Sequence, residues 1–390
     1  MPIPRNFDLP EPDDDARAHS AGVVAAVARA VARAGGFLPF DRYMQLVLYA
    51  PGLGYYVAGA RKFGAAGDFV TAPELTPLFG AALARQVAAI LDATGAREIV
   101  ELGAGSGKLA ADLLRALVEA NASPRVYRIV EVSPELVLRQ RATIARLVPG
   151  EVHRVEWLQA PPDRIDGAVV MNEVLDAVPP SIVARAGDEW REQGVAMRDD
   201  GTLALAWRPL DDTRLRALAG ARFAAGDYAS ELNPAAEALV EDLARRLGAG
   251  AMLIVDYGFP HAEYYHPQRA SGTLMAHYRH RAHGDPLRWP GLTDLTAHVD
   301  FTAIAEAGER AGLSVAGFAS QAAFLLGCGM LDRLVAVGPP DSSAYLREAA
   351  AVQTLTSPAE MGELFKVLAL ARSDGIAWPG FALADMTHRL

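Results

Sequence analysis

Ile99-Val100-Glu101-Leu102-Gly103-Ala104-Gly105-Ser106-Gly107-Lys108-Leu109 is the stretch whose reading decides the fold. A short β-branched apolar run closes on an acid, glycines follow at alternate positions, and a pattern of apolar and small residues resumes, which predicts strand, tight turn and helix. Gly103 and Gly105 carry no Cβ to keep a flat group off the backbone. A helix starting near Ser106 points unpaired N–H groups and the positive end of its dipole into the same space. The turn suits a ligand with negative or electron-rich groups, although a plain turn with glycines for packing has the same outline.

Spacing separates the ligand classes that use such a turn. A phosphate-cradling P-loop needs glycine where Leu102 stands and Ser or Thr where Leu109 stands, so that class is excluded. The dinucleotide pattern G-x-G-x-x-G needs glycine at Lys108, which weakens a nicotinamide or flavin site. Glu101, Gly103, Gly105 and Gly107 fill every place of E/D-x-G-x-G-x-G, the S-adenosylmethionine turn of class I methyltransferases. The next strand, Val126 to Val132, brings Glu131 to its carboxyl end, where open α/β sheets bind ligands and an acid suits a ribose diol. Glu131 also lies beyond the interval of about 20 residues usual for the NAD ribose acid. Ser133-Pro134 then supplies a cap and a first-turn proline for a helix to about Leu147.

The chain has 390 residues, 51% of them hydrophobic, enough for one large decorated domain or two to three ordinary ones. One cysteine, Cys328, permits neither an intrachain disulfide nor a cysteine metal cluster and points to a reducing compartment. A net charge of −10 argues against nucleic acid as the main partner. No apolar run approaches a membrane span, and Asp13, Asp14 and Asp15 make the start too acidic for a signal or transit peptide. These features lead to a bacterial cytoplasmic enzyme with no membrane insertion. Ala21–Arg33 is expected as a helix capped by Ser20. Phe40 to Tyr56 predicts a helix ending before Pro51 and a tyrosine-rich turn that forms either an aromatic lid or a local core. Thr76 and Pro77 read as cap and first residue of a helix to about Ala93.

Runs spread along the chain resemble the MidA family of class I S-adenosylmethionine-dependent methyltransferases, whose mitochondrial relative dimethylates an arginine of a core subunit during respiratory complex I assembly. They are Leu48-Tyr49-Ala50-Pro51-Gly52-Leu53-Gly54-Tyr55-Tyr56, Gly67-Asp68-Phe69-Val70-Thr71-Ala72-Pro73-Glu74, the glycine turn itself, Asn172-Glu173-Val174-Leu175-Asp176-Ala177, Asp256-Tyr257-Gly258, Gly272-Thr273-Leu274 and Thr296-Ala297-His298-Val299-Asp300-Phe301. Gly-Asp-Phe-x-Thr-Ala-Pro-Glu is the most particular to the family. Ala50 stands where a histidine or polar residue is expected and Ala104 where proline is common, and neither removes a charge. The resemblance implies S-adenosyl-L-methionine as cofactor and S-adenosyl-L-homocysteine as product. It places Thr71, Pro73 and Glu74, then Glu101, Gly103, Ala104 and Gly105, and finally Glu131, Val132, Asn172 and Glu173 around that cofactor. It also implies a protein acceptor, a complex I subunit in the family's example, while a homodimer is left open.

A fourth strand, Gly167 to Met171, delivers Asn172 to Asp176 at its carboxyl end. If Asn172 caps a helix there, Glu173 and Asp176 are i and i+3 on one face. Two carboxylates could grip a guanidinium, orient one nitrogen and stabilise positive charge as a methyl arrives; an acid pair that merely complements a helix dipole is the bland counterpart. Ile182–Ala186, Glu189–Met197 and Thr202–Trp207 predict a β-meander inserted before the fifth strand, Ala251–Val255. Glu231, ahead of an Asn233 cap and Pro234, is a third carboxylate candidate, with a capping role as its alternative. Residues Glu263 to Pro290 read as a long loop dense in Tyr, His and Arg. His277, His280 and His283 on a helix would diverge, so no metal site is expected. His298 and Asp300 are candidates either for the cleft or for a buried pair. Trp157, ending the third strand, falls near the adenine by this topology or packs as a core aromatic.

The expected architecture is α/β. It is a class I methyltransferase Rossmann-like sheet, mostly parallel with the last strand (Phe365–Ala371) antiparallel, carrying an N-terminal helical cap and a β-rich insertion. Its segments are 1–95 (helical cap or lid), 96–180 (cofactor half), 181–235 (meander) and 236–390 (the remainder, with a substrate loop at 258–300). The expected catalytic residues are Glu173, Asp176, Glu231 and His298. An NAD-linked oxidoreductase and a catalytically silent S-adenosylmethionine-binding assembly factor are the alternatives.

Overall fold

Val, Ile and Leu runs with few polar interruptions become the strands of one sheet: β1 (Glu98–Leu102), β2 (Val126–Val130), β3 (Val155–Leu158), β4 (Ile165–Asn172), β5 (Leu247–Phe259), β6 (Ser314–Ser320) and β7 (Phe365–Ala371). The computed structural model that shows this describes residues 9–57 and 71–390. The strands lie in the order β3-β2-β1-β4-β5-β7-β6. Pairs from β3 to β5 are parallel, and β7 runs antiparallel to both β5 and β6, as expected. Every position of β1 is buried, which marks it as a central strand covered on both faces. The chain leaves β1 toward β2 on one side and returns to β4 on the other, so the topological switch point falls at the carboxyl ends of these strands.

Helices α1 (Pro77–Thr94), α2 (Lys108–Glu119) and α3 (Pro134–Leu147) belong to the same unit as the sheet. Thr76 Oγ1 caps α1 by accepting from the Leu78 amide at 3.0 Å, and Ser133 Oγ caps α3 through Leu136 at 3.4 Å, both as read from sequence. Phe79, Leu83, Val87 and Ile90 of α1 bury against Leu113 and Leu117 of α2 and against Ile99, Val170 and Leu253 of the strands. The two helices approach so closely that a Cβ on Gly80 would lie 2.7 Å from Asp112 Cβ.

A second compact unit gathers the described residues of Met1–Phe69 with Asp176–Ala236 and His261–His298. Its sheet contains the predicted meander, Ser181–Ala186, Glu189–Met197 and Leu203–Pro209, joined by Tyr228–Leu232 and by Leu38–Pro39 in antiparallel pairings. The tyrosine-rich run forms a local core, where Tyr43 and Tyr55 are buried with Phe40, Met44 and Val47, and Tyr43 donates to the Pro286 carbonyl at 2.7 Å.

Two expectations are corrected. The first helix spans Asp14–Arg33 instead of starting at Ala21, because Asp13 accepts from the Ala16 amide at 2.9 Å and two acids in the first turn complement the dipole. His277 and His283 lie on an antiparallel hairpin, Met275–Tyr278 with Arg281–His283, inside the stretch expected as a long loop; burial beside His283 pushes His277 down to about 4. Among the described residues no helix is long and apolar enough to cross a membrane.

Replacing Thr76 by Ala removes the α1 cap together with a 2.6 Å bond to Glu348 and should cost about 1–2 kcal/mol. Thermal denaturation should show a lowered Tm for Thr76→Ala and a largely retained one for Thr76→Ser; equal Tm values for Thr76→Ala and the parent chain would contradict the capping role.

Candidate functional site

The turn after β1 is built by glycines in the left-handed region, with φ of 65° at Gly103, 52° at Gly105 and 81° at Gly107. Gly107 is the N-cap of α2, which begins at Lys108, slightly later than expected. A Cβ on Gly107 would lie 2.9 Å from Gln140 Cα, so the turn presses on the backbone of α3. On the other side a Cβ on Gly103 would lie 3.1 Å from Val174 Cγ2. The Ser106 hydroxyl donates to Glu74, whose own amide donates to the Thr71 carbonyl at 2.9 Å, so the short helix Ala72–Leu75 is attached to the glycine turn. The Gly67 to Val70 part of that family run lies outside the described residues. Pro73 and Ala104 are buried here.

Glu101 sits inside the sheet instead of on the turn's surface. It accepts from Tyr127 Oη at 2.7 Å, and burial, opposed by that bond and reinforced by the charge of Glu131, raises its carboxyl to about 7.

Glu131 follows β2 and is largely buried, which pushes its pKa up. Its Oε1 accepts from the Ser133 amide and its Oε2 from Gln140 Nε2, both at 2.9 Å. The adjacent Val132 is 63% exposed, an uncovered apolar side chain beside a fixed carboxylate at the switch point. Trp157 is half-buried against the core; its Nε1 donates to Gln140 Oε1 at 3.0 Å, and the Arg141 guanidinium covers its ring at 4.2 Å. Core packing and proximity to the Glu131 group thus coexist at this residue.

The helix expected from Asn172 does not form. Glu173 adopts φ 54° and donates its amide to the Val255 carbonyl at 2.9 Å, while the next two amides, Val174 and Leu175, donate to Asp256 Oδ2 at 3.2 and 2.9 Å. A buried carboxylate at the end of β5 captures the N–H groups that would have started a helix, and the chain turns instead. Glu173 and Asp176 therefore do not share a helical face. Glu173 Oε1 accepts from Asn172 Nδ2 at 3.1 Å, and Asn172 Oδ1 is buried with no hydrogen-bond partner among the described residues.

Asp176, Glu231 and His298 belong to the second unit, where one network joins them. The Asp176 carbonyl accepts from the Ala297 amide and the His298 amide donates to Thr273 Oγ1, each at 3.0 Å. Glu231 is buried and accepts from the amides of Thr273 and Leu274 at 2.8 Å, and from the hydroxyls of Thr273, Tyr264 and Ser230 at 3.3 Å. The carboxylate offered as a substrate ligand is an anchor for the 273–274 loop. Asp300 caps the helix Phe301–Arg310 through the Ala303 amide at 3.3 Å. The described residues contain no group of three side chains suited to a metal ion.

Two residues escaped the sequence reading. Asp256 stands in the sequence only as part of the Asp256-Tyr257-Gly258 run, with no sign of its role as captor of the β4 turn. Gln140 was not singled out, although a polar residue four before Ile144 on the inward stripe of α3 was the available signal.

Comparison with known proteins adds three findings. Residues 82–319 match the family model described as "Putative S-adenosyl-L-methionine-dependent methyltransferase". A solved structure from Burkholderia thailandensis, bound to S-adenosyl-homocysteine, is 50% identical with a TM-score of 0.95, covering 98% of this chain and 100% of that one. Relatives named protein arginine methyltransferase NDUFAF7 or its homolog, mitochondrial, are 29% identical in Drosophila melanogaster over 92% of this chain and 87% of the relative, and 28% identical in Homo sapiens over 86% and 80%.

The raised Glu101 pKa carries a pH signature. Between the ordinary carboxylate range and about 7 the unfolded chain is ionised at this position while the folded protein keeps its proton, so folding loses stability as pH rises through that window. Glu101→Gln stays neutral throughout, and its Tm relative to the parent chain should rise from pH 5 to pH 8; a pH-independent difference would contradict the assignment.

Proposed function

The chain belongs to the MidA family of S-adenosyl-L-methionine-dependent methyltransferases, and from that membership we propose that it methylates an arginine side chain of a protein, a respiratory complex I subunit, in the bacterial cytoplasm. The family sets aside the NAD-linked oxidoreductase. S-adenosyl-L-methionine, when bound, supplies a methyl group on a sulfonium.

The site's chemistry fits that cofactor. A carboxylate with both oxygens fixed at the end of β2 suits ribose hydroxyls, the exposed Val132 beside it suits an adenine face, with Trp157 nearby, and the buried acceptor Asn172 Oδ1 suits a donor such as an amino group. Thr71, Pro73 and Glu74 support the glycine turn, which brings bare backbone to the ligand. Glu101 acts from inside the sheet.

The observation that carries the arginine reading is Glu173, an acid at the end of β4 held at positive φ by the Asp256 turn, adjoining the Val174 that packs on Gly103. A non-glycine residue is strained there, and such positions concentrate at functional sites. A guanidinium is a poor nucleophile because its lone pair is delocalised and its pKa exceeds about 12. The Glu173 carboxylate would orient one nitrogen toward the methyl and stabilise the charge that develops, so positioning replaces a strong base. Within the second unit, Glu231 holds the 273–274 loop as a positioning residue. The printed names of the NDUFAF7 relatives support the same acceptor class.

Incubation of the full chain with labelled S-adenosyl-L-methionine and lysate from a strain lacking it, followed by mass spectrometry, should find label on an arginine side chain of a protein. Label on another residue type or on a small molecule would overturn the acceptor. Glu173→Gln should keep S-adenosyl-homocysteine affinity within about twofold and lose methyl incorporation by roughly 100-fold or more; undiminished incorporation would remove Glu173 from the mechanism.

A further inference from the structure

We infer that Gln140 is a positioning residue that orients the Glu131 carboxylate, so that preference for nucleosides with intact sugar hydroxyls depends on an amide inside α3. The inference rests on the cofactor reading given above. Gln140 is fully buried, and among the described residues its three side-chain bonds go to parts of the candidate site: Nε2 donates to the Gly105 carbonyl at 3.1 Å and to Glu131 Oε2 at 2.9 Å, and Oε1 accepts from Trp157 Nε1 at 3.0 Å. The amide has one workable orientation. Exchanging its oxygen and nitrogen would set a donor against the indole N–H and an acceptor against a carbonyl and a carboxylate.

With Ser133 holding Oε1, the carboxylate is clamped from both ends, while each of its oxygens keeps a further lone pair to offer a hydroxyl. The clamp is rigid because Gly107 packs on the Gln140 backbone itself. A buried amide is tolerated only when its polar atoms are paired, and an apolar side chain beside Ile144 would serve packing alone. Placing the amide at the meeting point of the glycine turn, the acid and the indole makes it the part that transmits the position of each to the others.

Isothermal titration of the full chain with S-adenosyl-homocysteine and with its 2′-deoxy and 3′-deoxy counterparts tests this. The parent chain should prefer the intact sugar by about tenfold or more, as expected for a hydroxyl donating to a carboxylate. In Gln140→Met the preference should collapse: affinity for S-adenosyl-homocysteine falls by about tenfold or more while affinity for the deoxy ligands changes little. Gln140→Glu retains the acceptor for Trp157 and sets acid against acid, and it should reduce the preference, which covers the case in which Gln140→Met fails to fold. An unchanged preference in the variants, or equal weakening of all ligands as a merely structural role would give, overturns the inference. If the parent chain itself fails to bind S-adenosyl-homocysteine, the cofactor reading falls and the inference with it.

Discussion

The approach of the β1 turn to the backbone of α3 is the constraint on which the site depends. Only glycine can stand at position 107, where φ is positive and a Cβ would meet Gln140 Cα at 2.9 Å. That contact brings the Gly105 carbonyl to the Gln140 amide, the amide to Glu131 and to Trp157, and so couples the ends of β1, β2 and β3. The same turn holds Glu74 through Ser106 and abuts Val174 after β4. Five chain segments therefore converge at the switch point of the sheet.

Local signals were legible at several element boundaries. Thr76-Pro77 and Ser133-Pro134 start their helices as read, the three meander strands fall between turns announced by Gly187-Asp188 and Asp199-Asp200-Gly201, and Phe365–Ala371 is the reversed strand.

Much of what could not be read came from partners far along the chain, whereas the start of the first helix was missed at a local cap, Asp13. Asn172 has the form of a helix cap, but Asp256, more than eighty residues away, takes the amides a helix would need. Glu231 looks like a ligand-binding acid until the Thr273-Leu274 backbone is seen to surround it. Spacing around His277 and His283 carries no mark of the hairpin that pairs Ala276 with His283. In the first two cases a tertiary hydrogen bond outweighs a local preference of a few tenths to about one kilocalorie per mole.

The account stands on a nucleoside lying across the ends of β1 and β2. A crystal structure of the chain grown with S-adenosyl-homocysteine tests it most directly. It should show the ribose hydroxyls within about 2.5–3.0 Å of the Glu131 carboxylate, with the Gln140 amide still bonded to that group. A ligand seated elsewhere, or a Glu131 side chain turned away from the sugar, would contradict it.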